Sequence, residues 1–76
     1  MSVWLVDIQR RKEEAGTLGP FATREGAVRA VRDYVTKHYC ERSIVDLLAA
    51  YGGDLTEGTF YSEDETINVY ERELQA

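Results

Sequence analysis

Between Thr23 and Gly53 the apolar residues recur every three or four positions, whereas the opening segment, residues 3–8, and the closing segment, residues 59–70, read with a period of 2. This change of period limits the fold more than any other feature, because a repeat near 3.6 lines one face of a helix whereas a repeat of 2 lines one face of a strand. In the first strand segment Trp4, Val6 and Ile8 fall on one face, and Val3 and Leu5 keep the other apolar at the start. That pattern predicts an inner strand covered on both sides early on. The stretch QRRKEEAGTLGP that follows is charged and then punctuated by glycine, so it reads as a polar loop or a short hairpin ending near Gly19-Pro20, with no packing stripe of its own.

Thr23 has the hydroxyl that an N-cap needs, and Glu25 lies where the helix dipole favours negative charge, so the first helix is expected to start at Arg24. Val28, Val31 and Val35, with Ala27, Ala30 and Tyr34 beside them, form its apolar stripe, and Lys37 and His38 suit its negative pole. A second helix is expected after Ser43, with Asp46 three residues on, carrying Ile44, Leu47, Leu48 and Tyr51 to a stop at Gly52-Gly53. The closing segment returns to period 2. A turn centred on residues 62–65 sets Tyr61 opposite Thr66 and Phe60 opposite Ile67. Phe60, Ile67 and Val69 then share one face, with Thr59, Tyr61, Thr66, Asn68 and Tyr70 on the other. The expected fold is α+β: a small β-α-α-β-β domain in which two helices pack on one face of an antiparallel sheet of three or four strands.

With 76 residues, 43% of them hydrophobic, the chain is expected to form a single folded domain, residues 1–76. Its longest apolar runs are far shorter than the ~20 residues of a membrane span. No signal segment is visible, so a cytoplasmic location is expected. A single cysteine, Cys40, cannot form an intramolecular disulfide, although an exposed thiol could link two copies. The net charge of −5 is unevenly spread: residues 1–40 carry seven Lys or Arg against five Asp or Glu, and residues 41–76 carry two against nine. An acidic half disfavours direct contact with nucleic acid, whose binding depends on cations displacing phosphate counterions. It favours a basic partner instead.

Catalytic and metal chemistry find little support. His38 and Cys40 stand two apart, and positions two apart on a helix diverge, so a thiolate–imidazole pair is not expected. One His and one Cys cannot supply the nitrogen and sulfur ligands of a zinc site. Glu63, Asp64 and Glu65 are consecutive, where a calcium loop alternates its ligands and carries a glycine. The expectation is no enzyme, no cofactor and no metal. The stretch GPFATREGAV, after a strand, resembles half of the SPOR domain that binds peptidoglycan, but that domain repeats the unit twice and the second helix here has no such lead-in. It is read as a turn at Gly19-Pro20 followed by Phe21 packing against the helix as a hydrophobic staple.

In size, acidity and layout, from VWLVDI through TREGAVRAVRDYV to TINVYERE, the chain resembles the small phage-encoded anti-CRISPR inhibitors. The resemblance implies a non-enzymatic protein that binds the DNA groove of a CRISPR surveillance complex as a DNA mimic. The expected contact residues are Glu57, Glu63, Asp64, Glu65, Glu71 and Glu73, with Tyr61 and Tyr70 as rigid aromatic anchors. The alternative is a structural or regulatory protein-interaction module, monomeric or homodimeric. In it the acids protect a sheet edge, and contact runs through that edge or through Arg24, Arg29 and Arg32 of the first helix.

Overall fold

A computed structural model describes residues 1–12 and 15–74. The order is β1 (Ser2–Arg10), β2 (Gly16–Phe21), α1 (Arg24–His38), α2 (Glu41–Tyr51), β3 (Phe60–Tyr61) and β4 (Glu65–Glu73). The strands form one antiparallel sheet in the order β2-β1-β4-β3. Both helices lie on one face, α1 against β1, β2 and β4, and α2 against β3 and α1. The architecture is the expected α+β one, with an added strand where the sequence allowed a short hairpin.

That strand corrects the view that residues 9–20 lack packing of their own. Leu18 and Phe21 are three apart and would face opposite sides of a regular strand. In β2 both pack against the core, because Val6 pairs with Leu18 while Trp4 pairs with Phe21. β1 advances two residues while β2 advances three, so the extra residue is absorbed in a bulge. Gly19 sits there with φ of +113°, and a Cβ on it would lie 3.1 Å from the carbonyl oxygen of Trp4.

Thr23 caps α1 as its hydroxyl predicts, Oγ1 accepting from Gly26 N at 3.1 Å. The second helix starts earlier than Ser43: its N-cap is Cys40, whose Sγ lies 2.9 Å from Ser43 Oγ, and Ser43 belongs to the first turn. Tyr39 breaks the run between the helices with an extended backbone, and α2 resumes from there. Gly52, at φ of +94°, ends α2 as expected. The closing hairpin has the expected register, with Phe60 opposite Ile67 and Tyr61 opposite Thr66, although β3 is only two residues long.

The core is Val6, Ile8, Ala27, Val31, Val35, Ile44, Phe60 and Ile67, ringed by half-buried Trp4, Leu18, Phe21, Tyr34, Tyr39 and Leu48 among others. Fully burying a side chain such as Phe60 or Ile67 contributes ~1.5–3 kcal/mol, so a core this small leaves polar contacts a visible share of the stability. Tyr51, placed in the apolar stripe by its spacing, instead points outward and is exposed. Among the described residues no helix covers the second face of the sheet. Val3 and Leu5 are half-buried there, which corrects the expectation of a strand covered on both sides.

Candidate functional site

β1 and β4 pair along nine residues, with Trp4 opposite Glu71, Val6 opposite Val69, Ile8 opposite Ile67 and Arg10 opposite Glu65. Because side chains alternate, the row that holds buried Ile67 and half-buried Val69 must also turn Glu65 toward the helices. Glu65 is accordingly 7% exposed, the one charged side chain buried among the described residues. Three donors surround it. Tyr34 Oη and Tyr39 Oη each donate at 2.7 Å, and Arg10 Nε donates at 3.1 Å. Arg10 also donates to Tyr34 Oη at 2.6 Å, so the four side chains form one connected network.

Burial alone would raise the Glu65 carboxyl, but the hydrogen bonds from Tyr34, Tyr39 and Arg10 favour its charged form and hold it below the ordinary carboxylate range. Burial and the bond to Glu65 push the Tyr39 hydroxyl up to about 12, and the same two causes raise Tyr34. Both phenols therefore remain protonated donors at neutral pH. With its lone pairs engaged by three donors, Glu65 is placed to tie β1, α1 and β4 together, and little of it is left to meet a partner. The network forms one wall of an open groove of about 650 Å³, lined also by Arg11, Lys12, His38 and Asp64.

The other expected contact residues lie in separate places. Glu57, in the loop before β3, pairs with Arg24 at the start of α1. Glu63 is exposed at the tip of the β3–β4 turn and lies 3.9 Å from Arg11. Asp64 beside it is exposed, and its backbone carbonyl accepts from Arg11 N at 2.9 Å. Tyr61 lies half-buried on the uncovered face, its hydroxyl donating to Asn68 Oδ1 at 3.1 Å. Tyr70, 40% exposed, is on that face too, beside Leu5 of β1. Glu71 and Glu73 are exposed on the helix side of β4, roughly 20–27 Å along the strand from Glu65 at ~3.3 Å per residue. No ion pair engages either of them among the described residues.

The acidic segment is thus not one array. Of the expected contact residues, Glu65 is inside, Glu57 and Glu63 face arginines, and Asp64, just before β4, and Glu71 and Glu73, at its far end, are exposed with no ion pair among the described residues. Arg10, Tyr34 and Tyr39, which hold Glu65, were not foreseen as a group. A signal existed: Arg10 follows Trp4, Val6 and Ile8 in phase, and Tyr34 follows Val31 by three, so both point to the covered side. The pairing of β1 with β4 was needed to bring them to Glu65.

His38 packs against Tyr34 with ring centroids 4.4 Å apart and planes tilted by 43°, while Cys40 is engaged with Ser43. The hydrogen bond with Ser43 lowers the Cys40 thiol from its ordinary range. Among the described residues no group of three or more His, Cys, Asp and Glu is placed to hold a metal ion. Among the same residues no helix is long and apolar enough to cross a membrane. Comparison with protein-family models, curated proteins and solved structures finds no match to this chain.

Proposed function

We propose that the protein is a non-enzymatic binding module that meets a basic partner through the exposed carboxylates on and just before its C-terminal strand. The observation that carries this reading is the state of Asp64, Glu71 and Glu73: all are solvent-exposed and none has an ion pair among the described residues, whereas Glu57, Glu63 and Glu65 each face an arginine. Unneutralised charge steers and orients an oppositely charged surface. Tyr70 adds rigid contact area next to it, of the kind enriched in interfaces. The resemblance to anti-CRISPR inhibitors gives the reading its most specific form, in which the basic surface is the DNA groove of a CRISPR surveillance complex.

The test is a tagged pull-down from a CRISPR-bearing bacterium, eluted with a salt gradient, with the wild type beside a variant carrying Asp64→Lys, Glu71→Lys and Glu73→Lys. Recovery of a DNA-binding complex by the wild type alone, released by moderate salt, is the expected result. Recovery of the same complex by both proteins would refute the reading. A second reading, a homodimeric module, is favoured by the uncovered sheet face with Val3, Leu5 and Tyr70, and sedimentation of the protein as a monomer at high concentration would remove it.

A further inference from the structure

The distal half of β4 is an open sheet edge. β3 pairs only with Thr66 and Ile67, and among the described residues nothing pairs with β4 beyond them on that side. The direction of its backbone groups follows from the hydrogen bonds at its two ends. Asp64 O accepts from Arg11 N and Leu74 N donates to Met1 O, so even-numbered residues turn toward β1. Glu65 O accepts from Ser62 N, so odd-numbered residues turn away. The outward groups of Glu71 and Glu73 find no backbone partner among the described residues. Their side chains are exposed on the helix side, with Tyr70 and Arg72 alternating on the uncovered face. The opposite edge of the sheet is blunted, since β2 carries the bulge and Pro20, which has no N–H to offer.

We propose that this edge receives an extended basic peptide as a fifth, antiparallel strand, with lysine or arginine at alternate positions across from Glu71 and Glu73 and an apolar residue across from Tyr70. The proposal rests on the reading that the C-terminal carboxylates meet a basic partner, and it names the geometry of that meeting. Main-chain bonds to Glu71 and Glu73 give such a strand its register, and the carboxylates select its sequence. A second copy of this chain fits poorly. Self-pairing about Glu71 sets that residue across from itself, self-pairing about Arg72 sets Glu71 across from Glu73, and like charges directly opposite are destabilising. Self-pairing about Tyr70 sets Glu73 across from Ile67, whose edge β3 already fills.

The experiment uses a synthetic octapeptide of alternating lysine and valine and measures its affinity for the whole protein by calorimetry at low salt. Two N-methylated forms accompany it, one methylated at the lysine amides and one at the valine amides. In the proposed register the lysines stand in the hydrogen-bonded pairs across from Glu71 and Glu73. Methylating the lysine amides should then weaken binding roughly tenfold or more, while methylating the valine amides changes it by less than about threefold. Amide exchange at Glu71 and Glu73 should slow when the unmodified peptide is bound. Equal weakening by the two methylation patterns, with no added protection at these amides, would overturn strand addition and leave the acidic-surface reading standing. No binding of any of the three peptides, even at low salt, would overturn both, and the acids would then serve only to keep the edge unpaired.

Discussion

Replacing Glu65 by alanine tests whether this carboxylate holds the fold together or belongs to a surface for a partner. The substitution removes the acceptor of Tyr34, Tyr39 and Arg10 at once. A hydrogen bond to a charged group contributes ~1.5–3 kcal/mol, and orphaned buried donors cost more than the bond is worth. The three donors are only partly buried and regain some water, so the loss is set at about 2–4 kcal/mol, well under the sum of three bonds. A domain of this length has roughly 4–11 kcal/mol in all. The melting temperature should therefore fall by ~10–25 °C. Urea unfolding followed by the fluorescence of Trp4 is the assay, with Tyr39→Phe as a milder companion expected to cost about 1–2 kcal/mol. A Glu65→Ala midpoint within about 0.5 kcal/mol of wild type would refute the structural role of this network.

The same carboxylate gives a pH dependence of known sign. Its folded-state value lies below the unfolded one, so its stabilisation is complete above the unfolded value near ~4.3 and is lost as pH falls through the folded value. Denaturation midpoints from neutral to strongly acidic pH should show this loss, and Glu65→Gln should flatten it. Gly58 has φ of +79°, and a Cβ on it would meet Val69 Cγ2 at 2.5 Å, so Gly58→Ala should cost about 2–4 kcal/mol by strain and overpacking. Thr23→Ala removes the N-cap of α1 and should cost about 1 kcal/mol in the same unfolding assay.

The parts of the fold legible in the sequence are those set by short-range rules. Thr23 as N-cap, Gly52 as C-cap and the register that faces Phe60 with Ile67 each depend on residues a few positions apart. The second helix misled because Ser43 has the chemistry of a cap, yet Cys40, with no capping bond from its side chain, stands at the boundary. Tyr51 fits the stripe of α2 by spacing, but it is the last residue of that helix and is exposed. Glu65, Glu71 and Glu73 share the helix side of β4, and position along the strand separates them: Glu65 meets Tyr34, Tyr39 and Arg10, whereas Glu71 and Glu73 are exposed. Glu65 looked equivalent to Glu63 and Asp64 in composition. Its odd position in register with Ile67, together with Arg10 arriving from 55 residues away, turned it inward.

The central claim is that a basic partner meets Asp64, just before β4, and Glu71 and Glu73 on it, carboxylates left exposed and without an ion pair among the described residues. Its most direct measurement is affinity for the recovered partner across a salt series, for wild type and for the variant with Asp64→Lys, Glu71→Lys and Glu73→Lys, each first shown to keep the wild-type unfolding midpoint. Affinity of the wild type should fall steeply with salt, and the variant should bind at least about tenfold more weakly with a shallower slope. Equal affinity and equal slope in the two proteins would contradict the claim.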